Sequence, residues 1–120
     1  MIVGLDLDGT VTACPWFFAA LTKGLKANGH KVVVITFRGE GGRAKAVQDL
    51  QTCDIAYDVL IMSKNVDLQD IGRWKRRIAI REGIDLMIDD MPEVLCCMPP
   101  EVQRLWLCSS QIYDLKELTK

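Results

Sequence analysis

The chain has 120 residues, of which 49% are hydrophobic, and its formal net charge is −1 at pH 7. This length predicts one domain, residues 1–120, that can bury a core without disulfides or bound metal. The near-neutral charge argues against a general attraction to nucleic acid or anionic membranes, and no apolar stretch approaches the ~20 residues of a membrane span.

Five short apolar runs predict strands, because each is nearly continuous, as in parallel strands that helices cover on both faces. The runs are Ile2–Leu5, Val32–Thr36, Asp58–Met62, Asp85–Ile88 and Arg104–Cys108. Helical patterns lie between these runs: one begins at Pro15, and the others are Gly41–Leu50, Asp67–Glu82 and Met91–Cys97. A loose turn or helix is predicted after the last run, over Asp114–Lys120. This alternation predicts the α/β class: a three-layer α/β/α, Rossmann-like domain with a five-stranded, mainly parallel sheet.

The first helix carries an apolar stripe before Asn28-Gly29 ends it. The stripe consists of Phe17, Ala20, Leu21 and Leu25. We expect Trp16 and Phe17 to pack in the core.

The five cysteines form no Cys-x-x-Cys pair, and only one histidine accompanies them. A zinc site or a disulfide framework is therefore not expected. Reduced thiols and the lack of a secretory signal pattern at Met1 predict a cytoplasmic protein.

Polar residues follow three of the predicted strands. Asp6 and Asp8 follow the first strand, Thr36 ends the second, and Asp89 and Asp90 follow the fourth. Ligand sites in parallel sheets form outside the carboxyl ends of the strands. If the first and fourth strands are neighbours, four carboxylates converge, and a hard divalent cation such as Mg²⁺ relieves their repulsion. The competing interpretation is that these acids only cap helices or begin turns.

Lys75 lies on the inward, apolar stripe of the third helix, with Ile71 and Ile78 on the same face. The neighbouring arginines point to solvent: Arg73, Arg76 and Arg77. Lys75 is thus either a charge partner for the carboxylates or a lysine that extends along apolar surface to reach water.

These residues resemble the motifs of the haloacid dehalogenase (HAD) superfamily. An apolar strand followed by Asp6-Leu-Asp8-Gly-Thr10 is similar to its first motif, and Val-Val-Val-Ile-Thr36 is similar to its second. Lys75, with Lys64 as the alternative, is similar to the third, and the strand ending in Asp89-Asp90 is similar to the fourth. All four occur in the order typical of the family, over essentially the whole chain.

The resemblance implies a phosphomonoester hydrolase of unknown substrate. On this resemblance, Asp6 would attack phosphorus and form an aspartyl-phosphate, while Asp8 would protonate the leaving oxygen and then activate water. Thr36 would hydrogen-bond a phosphoryl oxygen, and Lys75 would neutralise the phosphate.

The resemblance also implies a Mg²⁺ cofactor and a binding cradle. The expected direct ligands are the carboxylates of Asp6 and Asp90 and the main-chain carbonyl of Asp8, with Asp89 in support through water. The predicted substrate contacts are the backbone of Leu7 and Gly9, and the residues Thr36, Phe37, Arg38 and Lys75. Helices and strands fill the intervals between the motifs, so no cap domain is expected and the site should be open.

Two other functions stay open at this point. One is a non-catalytic phosphate-binding module on the same fold, and the other is a receiver-like, phospho-accepting signalling domain. The expected partner is a phosphorylated substrate; nucleic acid is expected only as a substrate, a membrane is not expected, and a homo-oligomer is left open.

Overall fold

Strands and helices alternate along residues 1–108, which are the residues that the computed structural model describes. The strands are β1 (Ile2–Leu5), β2 (Lys31–Gly39), β3 (Val59–Ser63), β4 (Leu86–Asp89) and β5 (Gln103–Trp106). The helices are α1 (Pro15–Ala27), α2 (Arg43–Thr52), α3 (Ile71–Glu82) and α4 (Pro92–Cys97). The turn or helix predicted over Asp114–Lys120 lies outside the described residues.

The five strands form one sheet in the order β3-β2-β1-β4-β5, and every neighbouring pair is parallel. The predicted three-layer, Rossmann-like α/β class is therefore confirmed. From β1 the chain adds β2 and β3 on one side of the sheet and then β4 and β5 on the other. The order of strands therefore reverses between β1 and β4, where Leu5 pairs with Ile88. Doubly wound sheets bind ligands at such a reversal, outside the carboxyl ends of the strands. Receiver domains belong to the flavodoxin type of doubly wound domain, whose strand order is 2-1-3-4-5. The strand order observed here differs from theirs.

Two apolar clusters pack on the two faces of this sheet. Val3, Leu5 and Val34 contribute to the cluster that contains Phe18 of α1 and Leu50 of α2. The opposite cluster includes Val33, Ile35 and Met87 with Trp74 and Ile78 of α3. Adjacent residues of one strand thus belong to different clusters, which is why the apolar runs are continuous.

Helix α1 confirms part of the predicted stripe: Leu21 and Leu25 pack against the core, whereas Phe17 and Ala20 are exposed. Phe18 and Thr22 are buried, whereas Trp16 is 76% exposed and Phe17 is 43% exposed. The Thr22 hydroxyl donates to the Phe18 carbonyl over 2.7 Å and accepts from the Ala56 N–H over 3.1 Å. Because these bonds satisfy the buried Thr22 hydroxyl, a polar residue can occupy the inward face of α1. The prediction that Trp16 and Phe17 pack in the core is wrong.

Most element boundaries differ slightly from the prediction. Strand β2 continues past Thr36 to Gly39, with a bulge in its pairing to β3 between these two residues. A short 3₁₀ turn at Leu68–Asp70 precedes α3. Within residues 1–108 each connection between strands contains one α-helix, and no inserted cap domain is present. None of the described helices has the length and hydropathy needed to cross a membrane.

Candidate active site

A buried lysine joins two buried carboxylates at the carboxyl edge of the sheet. Lys75 Nζ donates to Asp6 Oδ1 over 2.7 Å and to Asp89 Oδ2 over 2.8 Å. The Lys75 side chain is 1% exposed, and those of Asp6 and Asp89 are 8% and 0% exposed. The inward position predicted for Lys75 is therefore observed, and its role as a charge partner replaces the solvent-reaching alternative.

Burial dominates the protonation of the two acids of this triad, whereas the two acids together dominate that of Lys75. Removal from water raises the pKa of Asp6 to about 6, although Lys75 opposes the shift, and Asp90 raises it further by hydrogen bonding and repulsion. Burial likewise raises the pKa of Asp89 against the effect of Lys75. Burial alone would lower the pKa of Lys75, but Asp6 and Asp89 hold it above its ordinary value. Lys75 therefore stays charged, and Asp6 takes up a proton more readily than a solvated aspartate.

Asp90 faces Asp6 across the turn that follows β1. The Thr10 hydroxyl lies 3.0 Å from Asp6 Oδ2 and 3.3 Å from Asp90 Oδ1, so the two carboxylates share one donor. Gly9 has a φ of +79°, and a Cβ placed there would lie 2.4 Å from Asp90 Oδ2. Only glycine fits this conformation and this close approach.

Three predicted acids meet, and the fourth does not. One carboxylate oxygen from each of Asp6, Asp89 and Asp90 lies within 4.8 Å of the others. Asp8 instead accepts a two-pronged hydrogen bond from Arg38, with Nε 2.9 Å from Oδ2 and Nη2 2.7 Å from Oδ1. The third Arg38 nitrogen, Nη1, donates to Asp49 Oδ2 over 2.7 Å.

The bulge in β2 places the next predicted residues. Thr36 is buried, and its hydroxyl accepts the Arg38 N–H over 3.3 Å. The Phe37 carbonyl accepts the Ser63 hydroxyl over 2.6 Å, which secures the bulge to β3. Bulges beside sites commonly redirect side chains, and here Phe37 packs towards the α3 side of the sheet while Arg38 reaches Asp49 on α2.

A cleft of about 300 Å³ opens at this edge. The predicted site residues that line it are Asp6, Asp8, Thr36, Phe37, Arg38, Lys75 and Asp90. Leu68, Ile71 and Met91 complete its wall, and sequence reasoning missed these three. Leu68 is an apolar residue that is 69% exposed, and no pattern in the sequence indicates this exposure.

The other predicted residues lie outside the lining of this cleft. The Leu7 side chain is part of the core, and the Gly9 N–H donates to Thr12 Oγ1 over 3.0 Å. Asp89 is buried behind the cleft, where the Met91 N–H donates to its second oxygen, Oδ1, over 3.0 Å. Lys64 is exposed and lines a separate groove with Glu40 and Asn65. Of the two candidate lysines, Lys75 is thus the one that contacts Asp6.

Comparison with known proteins shows the fold alone. Two chains from structures of the Pnkp1/Rnl/Hen1 RNA repair complex match, with TM-scores of 0.72 and 0.71 and sequence identities of 22% and 20%. Each match covers 88% of this chain, but this chain spans only 42% and 45% of the matched chains. No protein-family model matches. No curated protein matches either.

These comparisons overturn the assignment to the HAD superfamily. The matching structures are chains of an RNA repair complex, and neither a family model nor a curated protein supports the HAD assignment. The assignment is therefore wrong. The physical reason is that each motif consists of an apolar strand or helix with one to three polar residues, and a parallel sheet collects such residues at its carboxyl edge in any case. The motifs located this edge correctly but did not identify a family.

Proposed function

We propose that the chain is a Mg²⁺-dependent phosphomonoester hydrolase in which Asp6 is the nucleophile. The carrying observation is the placement of the Asp6 carboxylate, which is nearly buried yet lines an open cleft beside Lys75, Asp90 and Arg38. Burying a carboxylate costs free energy unless it is paired. A buried carboxylate held by a lysine at the floor of a cleft is therefore typical of a functional group.

The residues present fit a bound Mg²⁺ ion. Hard cations of this kind are held by carboxylate oxygens together with retained waters. Lys75 and the Met91 N–H occupy the two oxygens of Asp89, whereas the one described residue that donates to the Asp90 carboxylate is Thr10, over 3.3 Å. We therefore assign Asp6 and Asp90 as the direct ligands and Asp89 as a supporting acid. The main-chain carbonyl of Asp8 stays a predicted ligand. The ion would screen the repulsion between an incoming phosphate and Asp6.

The side chains supply the remaining parts of the reaction. An Asp6 oxygen attacks phosphorus, the bond to the leaving oxygen breaks, and Asp8 donates the proton that the leaving oxygen takes up. Asp8 then removes a proton from the water that hydrolyses the aspartyl-phosphate. Lys75 and Arg38 balance the charge that the phosphoryl oxygens carry, and Thr36 offers a hydroxyl to one of them.

The substrate class that we rank first is a phosphorylated nucleic-acid end. The structural neighbours belong to an RNA repair complex. In addition, a second groove of about 330 Å³ shares Leu68, Ile71 and Met91 with the cleft and extends to Arg73. Arg73, Arg77 and Arg81 recur at every fourth position on the exposed face of α3. A row of arginines that begins at this groove and runs along α3 suits the phosphates of a strand whose end enters the cleft.

The nucleophile test measures release of phosphate from p-nitrophenyl phosphate with Mg²⁺ and with EDTA. We expect Mg²⁺-dependent turnover that Asp6→Asn abolishes. The control is Asp85→Asn, because Asp85 accepts the Ile2 N–H at the opposite edge of the sheet and should keep turnover near wild type. Trapping the phosphorylated chain with hydroxylamine should label Asp6. Undiminished turnover in Asp6→Asn would contradict the assignment.

The substrate test compares p-nitrophenyl phosphate with oligonucleotides phosphorylated at the 3′ or the 5′ end. Combined replacement of Arg77 and Arg81 by Ala should raise KM for the oligonucleotide and leave KM for p-nitrophenyl phosphate unchanged. The oligonucleotide KM should also rise with salt, because phosphate contacts release counterions. Equal effects on the two substrates would contradict this substrate class.

A non-catalytic phosphate-binding module is the second candidate. The observation that favours it is the Asp8–Arg38 ion pair, which occupies both oxygens of the proposed acid. Phosphate binding without Mg²⁺-dependent turnover would select this candidate. A cytoplasmic location stays a prediction from the sequence.

A further inference from the structure

Arg38 bridges two acids of unequal exposure. Its fork holds Asp8, whose side chain is 56% exposed, and its remaining nitrogen holds Asp49, whose side chain is 22% exposed. Lys45 Nζ donates to the other Asp49 oxygen over 2.7 Å. Asp49 is therefore fixed by two cations on α2 and β2, whereas Asp8 depends on Arg38 alone among the ion pairs that the described residues form.

The two ends of this bridge should respond differently to an incoming anion. Water screens a solvated ion pair strongly, so the Asp8 end costs less to break than the Asp49 end. A phosphate beside Lys75 offers the same two-pronged geometry as a carboxylate, and arginine binds both in this way. The Arg38 fork can thus pass from Asp8 to the phosphate while Nη1 stays on Asp49.

We propose that Asp49 is a positioning residue: it keeps Arg38 at the mouth of the cleft so that the guanidinium fork transfers from Asp8 to the incoming phosphate. This inference rests on the proposed function and extends it to a residue outside the cleft. The transfer also frees Asp8 for proton exchange at the moment when phosphate is bound. No covalent bond changes in this step.

The experiment measures Kd for inorganic phosphate by calorimetry and, separately, KM and kcat for p-nitrophenyl phosphate. Asp49→Asn keeps the shape of the side chain and removes its charge. We expect Kd and KM to rise about tenfold, which corresponds to about 1.4 kcal/mol and to the loss of one charge-assisted hydrogen bond. The value of kcat should stay close to wild type, because Arg38 still reaches the phosphate once it is bound.

Two further variants separate positioning from a general structural effect. Lys45→Ala removes the other cation on Asp49, which is 70% exposed and screened by water, and should raise Kd and KM far less than Asp49→Asn does. Asp49→Asn in an Arg38→Ala background should add no further loss, because Asp49 acts through Arg38. Circular dichroism and Tm confirm that each variant is folded.

Several outcomes would overturn the proposal. These are a wild-type Kd in Asp49→Asn, an equal loss in Lys45→Ala, an additive loss in the double variant, or no phosphate binding by the wild-type chain. If phosphate binding depends on Asp49 but p-nitrophenyl phosphate is not hydrolysed, the proposed hydrolase function fails and the positioning role stands.

Discussion

Lys75 Nζ lies 2.7 Å from Asp6 Oδ1 although 69 positions separate the two residues in the chain. The contact joins α3 to the end of β1 inside the protein, where water does not screen it. The same ammonium group also holds Asp89. The candidate site is thus organised around a buried cation that two strand ends share.

Lys75→Met should destabilise the protein strongly. Methionine matches the size of the lysine stem but leaves Asp6 and Asp89 without their cation, and loss of one partner from a buried ion pair costs about 3–5 kcal/mol. Urea unfolding at pH 7 measures this loss. The control is Lys45→Met, because Lys45 is 70% exposed in its ion pair with Asp49 and should change the free energy of unfolding little. Equal stability of the two variants would contradict the buried pairing.

Asp6→Asn should weaken the pH dependence of the stability of the metal-free protein between pH 4 and pH 6. The pKa of Asp6 is about 6 in the folded chain against an ordinary value of 3.8, so between these values the folded state binds more protons than the unfolded state. The contribution of Asp6 to stability therefore falls as pH rises through this range and is constant above it. The free energy of unfolding of the variant relative to wild type should therefore rise with pH by a value on the order of 3 kcal/mol, on top of a pH-independent cost of leaving Lys75 with Asp89 alone. Parallel stability curves from pH 4 to pH 7 would count against the shifted pKa.

The increase in Tm that Mg²⁺ causes should depend on the Asp90 side chain more than on the Asp89 side chain. A ligand that binds only the folded state at about 100 times its Kd adds about 2.7 kcal/mol to the free energy of unfolding. Asp90→Asn should lose this increase while changing Tm little without Mg²⁺. Asp89→Asn should lower Tm without Mg²⁺, because Lys75 loses a partner, but should retain an increase. Thermal unfolding with and without MgCl₂ tests the assignment, which the reverse pattern would exclude.

Gly9→Ala should impair the site more than Gly29→Ala. Both glycines have φ near +80°, but a Cβ at Gly9 meets Asp90 whereas a Cβ at Gly29 meets nothing within 4 Å. Gly29→Ala should cost only backbone strain, about 1–2 kcal/mol. Gly9→Ala should cost more and should also abolish the rise in Tm with Mg²⁺. Similar losses in the two variants would show that the approach to Asp90 is unimportant.

The order of strands and helices and the inward position of Lys75 were predictable from the sequence. Strand β1 was predicted at its observed bounds, and Lys75 followed from its spacing to Ile71 and Ile78. Both depend on local periodicity, which a single segment carries by itself. The same reasoning was right for Leu21 and Leu25 of α1 but wrong for Phe17, because Phe18 faces the core instead. The choice between these two aromatic residues depends on contacts with other segments, such as the hydrogen bond from Ala56 to Thr22.

The amino-acid sequence by itself determined the α/β alternation and brought acids, a threonine and a lysine to strand ends and one helix face. Only the tertiary structure decided how these residues are partnered. Asp89 turns to Lys75 while its neighbour Asp90 faces the cleft, and Asp8 turns to Arg38 and through it to Asp49. Such choices depend on distances between segments far apart in the chain, and residue spacing along one segment does not encode those distances.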